Sequence, residues 1–391
     1  MCRTNDVTLM NKNGQSNFPA SWYAICLSKF VSTKPKRLTR FGDNWVVWRD
    51  RSGNAALMEE HCPHLGASLV QGYVDGNGCL VCPFHKWRFD VSGVCVAIPG
   101  STVIPKEVHR KPLQTMERHG LLWAWWGSAD PLFDLPELPQ LEDARRGKVT
   151  LLKEYRFKTS PSMILANAFD GRHFIETHCA PSASFSGKTL SSGSLATNRS
   201  SDAWCGCILK FKPSSSTLIA LLKEAIVDRS VSVSRTVLGT VAGWAQARAR
   251  GVGEFSIQVE GWPSGNCSFV TLGAGDTVAV LVAATPIDSQ SSATWSVAVK
   301  THRGGALRQS LNRVALSALL WQLSRVDAPI LSAIDLNMNR IFLREDAPMI
   351  EYFRLYDRYI ERADPDWIAG RNRRPAVGRS LRASKSSAWP R

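Results

Sequence analysis

The strongest constraint in these 391 residues is a pair of short patterns, Cys62-Pro-His64 and Cys82-Pro-Phe-His85, separated by 17 residues. Each half carries one thiol and one imidazole, and the proline after each cysteine stiffens its loop. The chain must therefore bring two loops together around a shared centre. Asp75-Gly-Asn-Gly78 lies between them and has the composition of a hairpin turn. Two cysteines and two histidines also make structural zinc sites, and Cys79-x-x-Cys82 is a possible knuckle. Zinc ribbons, however, join one C-x2–4-C pair to another, whereas here C-x-H is joined to C-x-x-H.

The same four ligands are the set of a Rieske [2Fe–2S] centre, where two thiolates hold one iron and two imidazoles the other. Neutral imidazoles make such a cluster easier to reduce than an all-cysteine one. On this reading Cys62, His64, Cys82 and His85 are the ligands, and Cys79 and Cys95 are core residues.

Composition sets the surroundings. A chain of 391 residues, 44% hydrophobic and 21% charged, is globular and long enough for two or three domains. The longest apolar run, around Val278–Pro286, is strand-sized, well short of the roughly 18 residues of a membrane span. Met1 to Asn17 is polar and lacks the apolar centre of a secretory signal, which predicts a cytoplasmic protein with no membrane span. Ten cysteines in such a chain point to metal or free thiols rather than disulfides. The net charge is +15, of which the seven basic residues of 371–391 supply +7 and residues 1–370 the other +8. That Ser-, Gly- and Pro-containing segment reads as a disordered basic tail. No basic run carries the motif of a nucleic-acid reader, so nucleic acid is not an expected partner. The cluster Lys34, Lys36, Arg37 and Arg40 reads instead as a docking surface for an acidic electron donor.

Residues 20–128 read as short strands broken by turns, including 44–49, 78–82 and 120–126. Pro131, Pro136 and Pro139 among acidic residues mark a linker at 129–146. The region 147–370 mixes one buried helix at 162–178 with a Ser-rich mobile loop at 182–201. Strands follow at 205–212, 254–262, 267–272, 277–285 and 294–301. Helices are expected at 312–326, 329–343 and 349–362, the first two meeting near Pro329. The fold class is therefore α+β: an all-β domain, then an antiparallel sheet with helices.

A second constellation sits in the 162–178 segment, Asn167-Ala-Phe-Asp170-Gly-Arg-His173-Phe-Ile-Glu-Thr-His178. Five residues turn an ideal helix by about 140° past a full turn, so both histidines meet one metal only if the helix widens or ends there. Two histidines and one carboxylate with open positions form the facial triad of non-haem Fe(II) oxygenases. The carboxylate has two candidates. Asp327 precedes Pro329 and could instead be a helix N-cap. Asp335, the runner-up, sits among Ile334, Leu336 and Met338, where an unpaired carboxylate would be costly.

Taken together, Cys62-Pro-His-Leu-Gly-Ala, Cys82-Pro-Phe-His-Lys-Trp-Arg-Phe-Asp and N-x-x-D-x-x-H-x4-H resemble the Rieske non-haem iron oxygenases. Lys86 departs from the glycine common at its place in that family. The flanks Ala20-Ser-Trp-Tyr23 and Ile98-Pro-Gly100 look most like the aminopyrrolnitrin oxygenase-like branch. The resemblance implies a helix-grip, START-like catalytic domain and a homotrimer. It also implies that Asp170 carries electrons from His85 of a neighbouring subunit to His173, with Asn167 supporting the site. Asp327-Ala-Pro-Ile-Leu resembles the family's carboxylate-ligand segment. The implied cofactors are the [2Fe–2S] cluster and mononuclear Fe(II), with O2 as co-substrate. The implied substrate is a hydrophobic, aromatic or heteroaromatic small molecule. No G-x-G-x-x-G loop in a βαβ context is present, so NAD(P)H would be oxidised by a separate reductase, with or without a ferredoxin. An electron carrier without oxygenase activity is the competing class.

Overall fold

The computed structural model describes residues 17–105, 108–138, 141, 150–151, 154–178, 184–191, 201–212, 255–272, 276–300, 320–321, 323–336 and 338–372. The N-terminal unit contains β1 (Ser21–Leu27), β2 (Lys36–Arg40), β3 (Asp43–Arg49), β4 (Ala55–Glu59), β5 (Tyr73–Val74), β6 (Leu80–Val81), β7 (Arg88–Phe89), β8 (Cys95–Ala97), β9 (Thr115–Arg118) and β10 (Leu121–Trp126). They form three antiparallel sheets, ordered β1-β10-β9, β2-β3-β4 and β5-β6-β7-β8. Strand β10, Leu-Leu-Trp-Ala-Trp-Trp, is buried throughout, which explains its unbroken apolar run. In the turn between β5 and β6 the Asp75 carboxylate accepts from the backbone N–H groups of Asn77 and Cys79. This is the hairpin expected at that point.

The second unit is built on one eight-stranded antiparallel sheet. Its strands are β11 (Thr150–Leu151), β12 (Tyr155–Phe157), β13 (Ser184–Thr189), β14 (Cys205–Lys212), β15 (Phe255–Trp262), β16 (Gly265–Leu272), β17 (Asp276–Pro286) and β18 (Ser292–Lys300). From β13 to β18 each strand pairs with the next in sequence, and β11 and β12 both pair with β18. The helix Ala347–Glu361 lies across β13, β14 and β15 and buries Tyr352, Leu355, Tyr356 and Tyr359. The result is the expected α+β plan. Among the described residues no helix is long and apolar enough to cross a membrane.

Several local expectations are corrected. The segment 162–178 is not one helix: it runs as Pro161–Ala166, a 3-10 turn Asn167–Phe169, a helical turn Gly171–His173 and a π turn Phe174–His178. Proline opens it at a position that needs no N–H donor. Asp170 breaks it, in extended backbone, with its carboxylate capping the N–H of His173 at 2.8 Å. Within the Ser-rich stretch, 184–189 is strand β13 rather than loop, because its register with β14 satisfies the backbone of both. The helix expected at 329–343 is absent. Residues 323–332 are helical straight through Pro329, and 334–343 contain no helix among the described residues. Leu331, buried beside Tyr352 and Tyr356, helps anchor that helix despite the roughly 3 kcal/mol cost of an interior proline. Residues 312–319 lie outside the described residues.

The expected linker is anchored by alternate residues: Phe133, Leu135, Leu138 and Leu141 are buried while Leu132, Asp134 and Glu137 are exposed, and Trp22 donates its indole N–H to the Phe133 carbonyl. The last helix, Pro365–Asn372, includes Arg371, which was expected to begin the tail. Arg371 donates to the carbonyls of Lys111 and Pro112 and lies over Trp367. Residues 373–391 lie outside the described residues.

One core joins the two units. Tyr23, Phe41, Trp45 and Trp126 of the first share a buried cluster with Trp262, Leu281, Trp295 and Tyr359 of the second. The β2–β3 turn docks on the end of β17 through Phe41 N–H to Pro286 O and Gly42 N–H to Ile287 O. Phe41 stacks on Trp126 at 4.3 Å between ring centroids. A separate cluster around Val46, Met58, Leu69, Leu80 and Phe89 supports the two cysteine loops.

Candidate metal centres

The two cysteine loops have the same backbone design. Cys62 N–H donates to Ala67 O and Gly66 N–H to Cys62 O; Cys82 N–H donates to Trp87 O and Lys86 N–H to Cys82 O. The fourth residue after each cysteine is left-handed, Gly66 at φ 75° and Lys86 at φ 60°. Each loop therefore closes as a tight turn whose cysteine points inward. Cys62 and Cys82 are buried, while His64 and His85 are exposed. The imidazoles lie 4.6 Å apart, and the Trp87 ring stacks flat on His64 at 4.5 Å. Burial pushes the Cys62 thiol up to about 12, with the adjacent Cys82 raising it further against an N–H donated by His64. A thiol buried in this way is poorly placed as a free thiolate, and a cation bound to it would favour the thiolate. The donors form a buried sulfur pair and an exposed nitrogen pair. That arrangement fits a two-iron cluster with its histidine-held iron toward solvent. Cys79 is half-buried and Cys95 is buried in the supporting core.

A clamp behind the first loop reassigns part of the basic cluster. Glu60 is fully buried and accepts from Ser68 Oγ, from Arg37 Nε at 2.6 Å and from the second Arg37 nitrogen. Burial alone would raise its pKa, but these hydrogen bonds hold the carboxyl below its ordinary range. Arg40 is buried too, bonded to Ile25 O and to Glu154 at 2.9 Å. Lys36 donates to Phe30 O. Arg40 is therefore structural, whereas Arg37 bonds Glu60 while its side chain stays half exposed, and Lys34 is exposed.

The second centre forms between distant segments. His173 Nε2 lies 3.1 Å from Asp327 Oδ1, 154 residues away in sequence. Asn167 Nδ2 donates to the other Asp327 oxygen at 3.2 Å, and Thr177 Oγ1 lies 3.2 Å from His173 Nδ1. Both His173 and Asp327 side chains are mostly buried, 13% and 14% exposed. Asp327 lies inside the 323–332 helix, so it is not an N-cap. The π turn supplies the widening that a five-residue histidine spacing needs, putting backbone positions 173 and 178 on one face. The side chain of His178 lies outside the described residues. Two donors about 3 Å apart match neighbouring positions around one metal at about 2.1 Å from each, so the pair fits such an ion. Asp335, by contrast, is exposed past the end of the helix, as is Met338, so its expected burial cost does not arise.

Two contributors escaped sequence reasoning. Thr177 lies four residues after His173, a spacing that a helical reading could have noticed. Gly171 lets the site segment approach β13, since a Cβ there would meet the Phe185 ring at 2.5 Å. The partly buried Ala168, Val270, Val282 and Ala328 pack against the core cluster that contains Phe169 and Leu331, and Val280 and Leu323 pack against a second cluster. Ser268 pairs with Val280 across the same sheet face and is likewise only partly buried.

Residues 21–108 match the model of the Rieske [2Fe-2S] domain. Over 359 residues, 88% of this chain and 92% of the relative, the sequence is 28% identical to aminopyrrolnitrin oxygenase PrnD of Pseudomonas fluorescens. It is 32% identical to cholesterol 7-desaturase nvd of Bombyx mori over 165 residues, 41% of this chain and 36% of that one. Dicamba monooxygenase bound to dicamba has a similar structure, with TM-score 0.65 and 18% identity over 88% of this chain and 97% of that one. Pseudomonas putida CBB5 NdmA with caffeine superposes with TM-score 0.61 and 16% identity, over 87% and 90% of the two chains. The N-terminal unit is accordingly a [2Fe–2S] domain.

Proposed function

We propose that this chain, which belongs to the Rieske non-haem iron oxygenases, is a terminal oxygenase that monooxygenates a hydrophobic aromatic or heteroaromatic small molecule. Cys62 and Cys82 would hold one cluster iron and His64 and His85 the other. His173, His178 and Asp327 would hold a mononuclear Fe(II). When bound, the cluster supplies single electrons and the Fe(II) the centre where O2 is activated. The electrons would come from NAD(P)H through a separate reductase, directly or by a ferredoxin. In the proposed homotrimer, Asp170 would link His173 to His85 of the partner subunit.

The observation that carries this reading is the meeting of His173 and Asp327 at 3.1 Å, braced by Asn167. Asn167 occupies one carboxylate oxygen and leaves the other aimed at the imidazole. Thr177 at Nδ1 fixes the ring orientation so that Nε2 faces the carboxylate. Asp170 sets the start of the turn that carries His173. The apolar side chains of Ala168 and Ala328, adjacent in sequence to Asn167 and Asp327 and partly buried, favour a hydrophobic substrate. Relatives named as an oxygenase of aminopyrrolnitrin and a desaturase of cholesterol keep N-oxygenation and desaturation as alternative outcomes. Demethylation and oxidative cyclisation use the same site chemistry.

Metal and sulfide analysis tests the assignment. The expected content is about three irons and two acid-labile sulfides per chain. Asp327→Ala should lose the third iron and keep the cluster absorbance, while Asp335→Ala keeps all three. The reverse pattern would move the ligand, and two irons in the wild type would favour an electron carrier. Turnover lost in His173→Ala with an intact cluster supports the site; retained turnover overturns it. Mass spectrometry of candidate substrates would then separate oxygen insertion, methylene loss and loss of two hydrogens.

A further inference from the structure

Lys86 holds a backbone conformation that its equivalent in the first loop gives to glycine. Gly66 and Lys86 are each four residues after a cysteine, each donate N–H to that cysteine's carbonyl, and both have positive φ, 75° and 60°. A non-glycine residue there is strained by about 1 kcal/mol, and a strained residue kept at a ligand loop is a candidate for function. The side chain is exposed, yet its ammonium donates back to Pro83 O at 2.8 Å. The cation is thus pinned on the second loop, next in sequence to His85, whose ring lies 4.6 Å from that of the exposed His64. The exposed Phe84, whose ring lies 3.8 Å from that of His85, carries no charge.

We propose that Lys86 is a positioning residue for charge that raises the reduction potential of the cluster held by Cys62, His64, Cys82 and His85. Reduction adds one electron, and therefore one negative charge, to the cluster. The fixed ammonium stabilises the reduced form more than the oxidised form. Because the residue is exposed, the effect is modest and screened by salt. This inference rests on the cluster assignment made above.

Equilibrium redox titration of the purified holoprotein with dithionite and mediators, followed by circular dichroism of the cluster, tests it. Lys86→Gln keeps a side chain at the left-handed position but removes the charge, Lys86→Gly removes both, and Lys86→Arg keeps the charge. The Gln and Gly variants are expected to disfavour reduction by about two- to tenfold, tenfold being 59 mV for one electron. Arg should stay within about twofold of the wild type, and the shift should shrink from low to high salt. Equal midpoints for Gln and wild type at low salt overturn the proposal, as does a shift seen in Gly alone, which would belong to the backbone. Iron and sulfide content are measured in every sample. Absence of a cluster from the wild type would overturn the ligand assignment rather than the role of Lys86.

Discussion

Asp327 shows how one residue takes on several roles through its neighbours. Its two oxygens are divided between Asn167 and His173, and Thr177 engages the opposite nitrogen of the same imidazole. Thr177→Val keeps the shape and removes the hydroxyl. It should retain the third iron but lower turnover about 10- to 100-fold, the range for altered partners of metal-binding histidines. Iron analysis beside single-turnover rates would check this. Two titrating groups elsewhere contribute to the dependence of stability on pH. Burial, with a smaller contribution from Arg118, lowers His119 from 6.5 to about 4. The folded state keeps it neutral while the unfolded chain binds a proton, so stability falls as pH drops from about 6.5 towards 4. His119→Asn, which tolerates the positive φ, should flatten that slope, by at most about 3 kcal/mol, in denaturant titrations across the window. Glu60 acts lower: its depressed pKa stabilises the fold above about 4.5 and that contribution is lost as pH falls further.

Among elements, the site segment works because it is broken. A continuous helix from 162 to 178 would have placed Asp170 in mid-helix, unable to cap His173, and would have separated the two histidines by about 140°. The Asp170 break and the π turn solve both problems within nine residues, 170–178. Gly171 then sets how closely this segment approaches β13. Gly171→Ala should cost about 1–3 kcal/mol through overpacking against Phe185. Its signature is selective: iron bound at His173 weakens while the cluster spectrum stays unchanged. Equal loss at both centres would show a global rather than local effect.

For the whole molecule, the aromatic core that crosses between the units is the main tie. Phe41 contacts Tyr23, Trp45 and Trp126, and its backbone N–H bonds to the end of β17. Phe41→Ala should lower stability by about 3–5 kcal/mol, and the chain should still melt in one transition followed by cluster absorbance and far-ultraviolet dichroism. Two separated transitions in the wild type would show that the shared core does not couple the units. Thr285 Oγ1 to Ala24 O and the buried Arg40–Glu154 pair are polar ties across the same boundary. This coupling ties the N-terminal unit to the sheet against which the 161–178 segment packs.

The sequence by itself determined the features whose information is local. The two cysteine loops, the hairpin between them, the β character of residues 20–128 and the clustering of Asp170, His173 and His178 all lie within short windows, where spacing and turn chemistry decide geometry. Tertiary structure decided what depends on which surfaces meet. Asp327 and Asp335 are eight residues apart and alike as acids, but one helix turns Asp327 toward His173 while Asp335 ends exposed. Arg37 and Arg40 look equally free in a basic run, yet one clamps Glu60 and the other is buried against Glu154. The proline-punctuated linker is anchored in the core because Trp22, Trp125 and Tyr359 present a surface for Phe133. Periodicity reports what one element prefers, whereas the partner of a charge or an aromatic ring is set by another element, for Arg40 and for Asp327 more than 100 positions away in the chain.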